Sequence, residues 1–214
     1  IENMTVASRM SMSNMTIEAG AKCALFTPDE KTTVYCGITL TDKEKDLTGD
    51  ADAQYCQVMT YKAEDFVPVM ACPSNVDHIE PVSDLIGKEI DQVFIGSCTN
   101  GRLEDLMAAA ELLKGKHVAP FVKLIVTPAS RKIYQEAVEN GTMAILAEAG
   151  AIITHPSCGL CCGRTGGILT DGETVVATNN RNFLGRMGTS KVDIYLASPK
   201  TAAVCAVAGK IVSP

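Results

Sequence analysis

Short apolar runs alternate with capped helical stretches along the second part of the sequence, from about residue 91 onward. Five runs have the length and composition of buried strands: 93–95, 122–126, 151–154, 174–177 and 192–196. Helices are predicted between and after them: 102–114, Thr127-Pro128 to Asn140, a short helix ending at Gly150, and Ser198-Pro199 to Gly209. Because strands alternate with helices, this pattern predicts an α/β fold with a largely parallel sheet.

The pattern of hydrophobic and polar residues is weaker in the first part of the chain. It predicts a helix at the start, followed by a turn and then a strand over 32–36, where the residues have high β propensity. The run 41–52 carries seven charged residues and one glycine, and it predicts a solvated loop or a short helix. Prolines and a glycine within 72–90 indicate a connector, and we divide the chain there into 1–84 and 85–214.

Composition and charge narrow the class of protein. The chain has 214 residues, of which 46% are hydrophobic, and this length is enough for one or two folded domains. Nineteen basic and twenty-five acidic side chains give a net charge of −6, which argues against nucleic acid or an anionic membrane as a partner. No apolar stretch reaches the roughly 18 residues of a membrane span, and the start has no signal-peptide pattern. We therefore expect a cytoplasmic protein.

Nine cysteines are an odd number in a chain too long to be a disulfide scaffold, so they indicate a reducing compartment and thiol or metal chemistry. Cys98 follows one predicted strand, and Cys158 and Cys161 follow another within a glycine-rich loop. Ligand sites of open α/β folds lie at the carboxyl ends of the strands, so these thiols are expected at one rim. Three thiolates can hold a four-iron cluster and leave one iron open as a Lewis acid.

The same thiols are compatible with two other kinds of site. The C-x-x-C pair is also the spacing of a redox dithiol, although it lies late in this chain and not at an early helix start. A structural zinc ion is a second alternative, with Cys162 or His155 as the fourth ligand. The remaining cysteines are predicted to be small buried core residues: 23, 36, 56, 72 and 205.

Two further groups of polar residues are candidates for substrate binding. Arg181 and Arg186 stand five residues apart in a loop rich in asparagine, and such an array of donors suits carboxylates, although surface arginines on a loop would look the same. Asn14 and Glu18 are four residues apart in the predicted first helix, so they would share one helix face.

Four segments together resemble a known family. They are GSCTNGRLEDL at 96–106, CGLCCGR at 158–164, NRNFLGRMG at 180–188 and NMTIEAGAK at 14–22. These segments are similar to the large subunit of 3-isopropylmalate dehydratase and to its relative homoaconitase, within the aconitase superfamily. The resemblance runs over essentially the whole chain. It implies a layered α/β/α fold with largely parallel sheets, in which 1–84 is the C-terminal part of one aconitase-like α/β domain and 85–214 is the cluster-bearing domain.

The resemblance implies a hydro-lyase of the leucine-biosynthesis type that uses a 4Fe-4S cluster. By this resemblance, the cluster is held by Cys98, Cys158 and Cys161. The open iron takes the hydroxyl and a carboxylate oxygen of a 2-hydroxy di- or tricarboxylate such as 3-isopropylmalate. The hydroxyl leaves while a base removes the proton alpha to a carboxylate. Homoaconitase or another aconitase-type dehydratase is the alternative within the same class.

The resemblance also implies roles for the polar residues that are candidates for substrate binding. Arg181 and Arg186 correspond to residues that bind substrate carboxylates and set the electrostatics of the active site. Asn180 corresponds to a neighbour of the cluster. Asn14 and Glu18 correspond to residues that contact the iron-bound water or hydroxyl, and a carboxylate such as Glu18 can handle a proton there.

The sequence departs from the family pattern in three ways. Histidine and aspartate motifs of the D-S-H-T type are absent and the only histidines are His78, His117 and His155, so we expect that the N-terminal half of the large subunit is missing. The serine base and further arginines of the family come from a small subunit with a swivelling domain, which is the expected partner. Cys162 stands where an apolar residue is usual, so it could compete as a ligand or be sensitive to oxidation.

These departures predict that the chain alone is inactive. A different class of function remains open, namely an interaction module that binds zinc or a cluster without catalysis.

Overall fold

The computed structural model describes residues 2–45 and 47–214, and the chain divides into two compact units, Ile1–Val67 and Pro68–Pro214. The sequence predicts a division at 84–85, but that position lies at the end of a helix of the second unit. The structure divides the chain earlier, because two strands within 68–84 join the sheet of the second unit. Ile1 and Asp46 lie outside the described residues.

The first unit consists of short helices. Helix α1 spans Val6–Met15 and is followed by a 3-10 helix at Thr16–Ala19. Helix α2 spans Glu30–Cys36, and α3 spans Asp42–Lys45, which confirms the short-helix alternative for the charged run. A second 3-10 helix covers Ala63–Asp65.

The strand predicted over 32–36 is wrong, because these residues form α2. Asp29 caps the helix: its side chain accepts a hydrogen bond from the Thr32 N–H, and the Thr32 hydroxyl faces the Asp29 N–H in return. Gly37 ends the helix in the left-handed conformation. Caps at both ends therefore outweigh the β propensity of the residues between them.

The first unit has little core of its own. Arg9 is its one buried residue among those described, and it forms an ion pair with Asp29. Many large hydrophobic side chains are exposed instead: Met12, Ile17, Leu25, Val34, Tyr35, Ile38, Leu47, Tyr55, Val58, Met59, Tyr61, Phe66 and Val67. A set of this size is unusual for a unit that is stable alone.

The second unit is built on a seven-stranded sheet with the order β2-β1-β7-β6-β3-β4-β5. The strands are β1 Val69–Ala71, β2 Ile79–Pro81, β3 Gln92–Gly96, β4 Lys123–Thr127, β5 Ile152–Ile153, β6 Thr174–Ala177 and β7 Asp193–Leu196. Strands β3 to β7 are parallel, whereas β1 pairs antiparallel with β7 and β2. This confirms the predicted α/β class with a largely parallel sheet.

The helices of the second unit are α4 Val82–Leu85, α5 Ser97–Asn100, α6 Leu103–Leu113, α7 Arg131–Glu139, α8 Thr142–Glu148 and α9 Pro199–Ala208. The longer helices α6 to α9 match predicted helices, whereas the sequence predicts a connector at α4 and a loop at α5. One start was wrong: α7 begins after Ser130, whose hydroxyl accepts a hydrogen bond from the Ile133 N–H, and not at Thr127-Pro128. Because Thr127 is still the last residue of β4, its backbone is extended and cannot begin a helix.

The two faces of the sheet carry two separate hydrophobic clusters. Side chains alternate along β3, so Val93 and Ile95 face the cluster under the long helices, whereas Phe94 faces the other cluster. Helices α6 and α9 pack against β3 on the first face. On the second face, Leu160 and Met187 pack with Phe94. They come from loops that follow β5 and β6, so the core itself fixes the position of these loops.

Asp105 in the first turn of α6 makes stability dependent on pH. Its carboxylate accepts a hydrogen bond from the Arg102 N–H at 3.0 Å, but burial dominates and raises its pKa to about 6. An unfolded aspartate has a pKa of about 3.9, so the folded state binds this proton more tightly. The stabilising contribution is full below about pH 4, and it is lost as the pH rises through about 6.

We expect Asp105→Asn to remove this dependence, because an amide can still accept the Arg102 hydrogen bond and carries no charge to bury. Relative to wild type, the variant should gain about 2 kcal/mol in free energy of unfolding between pH 4 and pH 7. Urea unfolding at several pH values measures this, with Glu111→Gln at an exposed position of the same helix as the control. A pH slope equal to that of wild type in Asp105→Asn would disprove the assignment.

Candidate functional site

The parallel strands β3, β4, β5 and β6 end at the same edge of the sheet, and the predicted cysteine and arginine loops follow them there. In the register, Gly96 at the end of β3 pairs with Thr127 at the end of β4. The hydroxyls of Thr127 and Thr154 are 2.6 Å apart and join β4 to the segment that follows β5. The structure therefore brings the candidate loops of the second unit to one rim, as the sequence predicts.

Cys98 lies in the one-turn helix α5, directly after a tight connection from β3. Gly96 has φ 129° and the following Ser97 has φ 80°, which is rare for a residue with a side chain. The Ser97 hydroxyl is buried and has no hydrogen-bond partner among the described residues. Backbone in this conformation is strained by about 1–3 kcal/mol and is typical of functional sites. The Cys98 side chain is exposed at the rim.

We expect Gly96→Ala to destabilise the second unit by at least about 3 kcal/mol. A Cβ atom there would lie 2.0 Å from the carbonyl oxygen of Thr127, and both atoms belong to backbone fixed by the sheet. Gly115→Ala is the matched control, since Gly115 also has positive φ but nothing lies within 4 Å of a Cβ, so only about 1 kcal/mol of backbone strain is expected. Equal losses in urea unfolding would contradict this result.

Cys158, Cys161 and Cys162 lie at and within the 3-10 helix Gly159–Cys162, which packs against α5. Gly159 sits directly against the sheet: a Cβ there would lie 2.7 Å from the Thr127 hydroxyl and 3.0 Å from the Phe94 ring. Cys158 is exposed, whereas Cys161 and Cys162 are half-buried. The glycine therefore allows the close approach that places the cysteine turn beside Cys98.

The Cys158 thiol lies near three other thiols. Desolvation raises the pKa of the Cys158 thiol, and the neighbouring thiols of Cys98, Cys162 and Cys161 raise it further, with a hydrogen bond to Cys98. The Cys162 thiol also faces the carbonyl oxygen of Gly159 at 3.9 Å. The structure thus brings together Cys98, Cys158 and Cys161, and it adds Cys162 as an immediate neighbour.

Arg186 joins the arginine loop to the cysteine turn. Its Nη2 atom donates to the Cys161 sulfur at 3.5 Å, and its buried Nε has no partner among the described residues. The backbones meet here as well, because a Cβ on Gly163 would lie 2.5 Å from the Arg186 carbonyl oxygen. Arg181 lies half-buried in the same loop, and its carbonyl oxygen accepts a hydrogen bond from Asn179 at 2.6 Å.

Buried amides hold the arginine loop to the Cys98 loop. Asn100 Nδ2 donates to the side-chain oxygen of Asn180 at 2.7 Å and also to the carbonyl oxygen of Thr178. The Thr178 hydroxyl accepts from the Gly96 N–H at 2.9 Å. Asn180 is 6% exposed, so it positions the loop from within. Sequence reasoning missed the roles of Asn100 and Thr178, because a polar residue within a loop gives no sign of its burial.

A third amide ties the arginine loop to the start of the second unit. The Asn182 side chain, which is 1% exposed, donates to the carbonyl oxygens of Cys72 and Asn75 at 2.6 and 3.2 Å. The segment 72–78 is thereby attached to the rim, although the sequence suggested only a connector there.

The other predicted site residues lie in the first unit. Asn14 belongs to α1, and Glu18 belongs to the 3-10 helix Thr16–Ala19 that follows it. The predicted single helix face is thus divided between two types of helix. Neither side chain is free of interactions.

The prediction that the remaining cysteines are buried is correct only in part. Cys72 and Cys205 are buried, and burial raises the pKa of both thiols. Cys23, Cys36 and Cys56 are exposed, so the prediction is wrong for these three. All three belong to the first unit, which has no apolar core among its described residues to receive them.

No group of three or more His, Cys, Asp or Glu side chains among residues 2–45 and 47–214 is arranged to hold a metal ion as it stands. No helix in the same residues is long and apolar enough to cross a membrane.

Comparison with known proteins identifies the family. Residues 1–89 and 78–209 match the Aconitase family (aconitate hydratase). The chain belongs to the aconitase family. The family resemblance of the four sequence segments is thereby confirmed.

Three relatives illustrate where the chain lies within the aconitase family. It is 47% identical to the 3-isopropylmalate dehydratase large subunit of Sulfurihydrogenibium sp. (strain YO3AOP1) and 48% identical to 3-isopropylmalate dehydratase large subunit 1 of Pyrococcus abyssi. It is also 48% identical to a probable methanogen homoaconitase large subunit of Methanosarcina mazei. Each alignment covers 100% of the chain but only 50%, 51% and 54% of these relatives, respectively. The chain therefore spans about half the length of each.

Proposed function

We propose that the chain forms part of the large subunit of a 4Fe-4S hydro-lyase that isomerises a 2-hydroxy dicarboxylate such as 3-isopropylmalate. The observation that carries this proposal is the meeting of Cys98, the Cys158–Cys161 turn and Arg186 at one rim. Relatives with 3-isopropylmalate dehydratase in their names support the substrate class. The relative named homoaconitase supports a longer tricarboxylate as the alternative.

The residues at the rim fit an iron-sulfur cluster. The Cys158 thiol neighbours the thiols of Cys98 and Cys161, which come from two loops, and thiolates are the usual ligands of such clusters. Arg186 contacts the sulfur of Cys161, and a cation beside a thiol favours the thiolate that binds iron. We propose Cys98, Cys158 and Cys161 as the ligands. When bound, a cluster with one open iron supplies a Lewis acid for the departing hydroxyl.

The protein side chains supply binding and orientation. We propose that Arg181 and Arg186 bind the substrate carboxylates, because a guanidinium can donate two parallel hydrogen bonds to one carboxylate. The buried Nε of Arg186 has no partner among the described residues, so its N–H can donate a hydrogen bond to a substrate carboxylate. Asn180, held by Asn100, fixes the loop so that little ordering is needed when substrate binds. Glu18 is proposed to carry a proton and Asn14 to contact the hydroxyl group.

The site requires further protein. We propose that the exposed apolar side chains of the first unit are covered by the rest of the large subunit, because the relatives are about twice as long as the chain. The relatives are named large subunits, which implies a small subunit; we propose that this partner carries a swivelling domain and the base. Nine free thiols are consistent with the reducing cytoplasm.

Turnover in reconstituted mixtures tests this function. Dehydration of 3-isopropylmalate creates a carbon-carbon double bond conjugated to a carboxylate, which is detected by ultraviolet absorbance. We expect turnover when the chain, joined to the rest of its large subunit, is loaded with iron and sulfide and mixed with a small subunit. The chain and small subunit alone should give none. Turnover by that pair alone would disprove the need for the missing half, and its absence from the complete mixture would disprove the assigned reaction.

A further inference from the structure

A cavity of about 700 Å³ lies beside Cys98, on the side of the start of α7. Arg131, Tyr134 and Gln135 line it from α7, and His155 lines it from the segment after β5. None of these four residues belongs to the cluster ligands or the arginine loop. The cavity is thus a separate opening at the same sheet edge, with the Cys98 side chain in its wall.

The polar groups of this cavity are available to a ligand. Within the part of the chain that the structure describes, the side chains of Arg131, Tyr134, Gln135 and His155 have no hydrogen-bond or ion-pair partner. The next residue on the helix differs, because Lys132 faces Glu136 at 3.9 Å. One cation and three further hydrogen-bonding groups therefore converge on one space while remaining unpaired.

The charge of the lining selects the class of ligand. No aspartate or glutamate lines this cavity. Two other cavities in the described residues differ in this respect, since one contains Glu80, Asp84 and Asp193 and the other contains Glu2 and Asp29. A lining with an arginine and no acid favours an anion. Ala129 and Pro156 add an apolar wall that suits a carbon skeleton.

We propose that this cavity binds an organic carboxylate, at a site distinct from the one assigned to Arg181 and Arg186. The Arg131 guanidinium holds the carboxylate, and Tyr134, Gln135 and His155 contact the rest of the molecule. Arg131 is the one arginine or lysine in the lining, and its single charge matches a carboxylate group better than a phosphate dianion. A ligand bound there covers the Cys98 thiol. Arg131, Tyr134, Gln135 and His155 are not among the proposed cluster ligands, so the site is testable on the metal-free chain.

Protection of Cys98 from alkylation tests the proposal. The chain, freed of metal by chelation, is treated with iodoacetamide, and the modified peptides are quantified by mass spectrometry. Malate is the probe, because it is a 2-hydroxy dicarboxylate. We expect saturating malate to slow alkylation of Cys98 by about tenfold or more, whereas Cys56, an exposed cysteine of the first unit that does not line the cavity, serves as the internal reference. Glycerol, which carries no charge, should give no protection.

Two variants identify the residue responsible. Arg131→Met should abolish protection by malate, and Lys132→Met should retain it, because Lys132 lies outside the cavity. Both side chains are exposed, so neither change should unfold the chain, and circular dichroism checks this. Protection that persists in Arg131→Met, or no protection in wild type, would overturn the site. Phosphate that protects as well as malate would overturn the assignment to carboxylates. None of these outcomes bears on the iron content of the cysteine rim. Failure of the carboxylate site is therefore distinguishable from failure of the proposed function.

Discussion

Replacing Cys98 by serine is expected to reduce the iron content of the reconstituted chain from about four atoms to less than about one. Serine preserves the shape of the side chain but removes the thiolate. Cys98 comes from a different loop than the other two proposed ligands, so the remaining pair has no third anchor across the rim. Iron and sulfide analysis after anaerobic reconstitution measures the effect.

The matched control is Cys56→Ser, which changes an exposed cysteine of the first unit. Its iron content should equal that of wild type. Cys162→Ser provides a second comparison, because Cys162 neighbours Cys158 but is not assigned as a ligand. Full iron and sulfide in Cys98→Ser, or a loss in Cys162→Ser as large as the one expected for Cys98→Ser, would contradict the ligand assignment.

The second large effect concerns Arg186. In the complete enzyme, Arg186→Lys should lower kcat/KM by about 100-fold, because lysine keeps the charge and one hydrogen bond but cannot donate two parallel hydrogen bonds to a carboxylate. Loss of one charge-assisted hydrogen bond costs up to about 3 kcal/mol, which corresponds to this factor. The lysine is also expected to retain enough positive charge near Cys161 for the cluster to assemble, so the iron content should remain near that of wild type.

Arg164→Lys is the control for Arg186, since Arg164 is an exposed arginine at the end of the cysteine loop with no assigned role. Its kcat/KM should stay within about twofold of wild type, because exposed surface changes rarely exceed about 0.5 kcal/mol. A decrease in iron content equal to the decrease in activity of Arg186→Lys would show that Arg186 supports the cluster and does not bind substrate.

The second unit could be predicted well because its signals are local and strong. Buried β3, β4 and β6 are short apolar runs, and α9 begins with Ser198-Pro199 and ends at Gly209, which are standard capping residues. Once the parallel sheet is predicted, the rim follows, because loops after parallel strands meet at one edge. Cys98 and the cysteine turn were predicted together for this reason.

Each error has a physical cause, and for strands β1 and β2 and for Asn182 that cause lies far away in the sequence. The residues of α2 have high β propensity, and their helix depends on reciprocal bonding between Asp29 and Thr32. Strands β1 and β2 have three residues each, so their pattern is too short to identify. Strand β1 is fixed by antiparallel pairing with the distant β7, and β2 by pairing with β1. The burial of Asn182 likewise depends on carbonyl groups more than a hundred positions away.

The most direct test of the central claim is the metal and sulfide content of the wild-type chain purified and reconstituted without oxygen. We predict about four irons and four inorganic sulfides per chain, bound through the cysteines of the second unit. Zinc bound in place of iron, with no sulfide, would contradict the account.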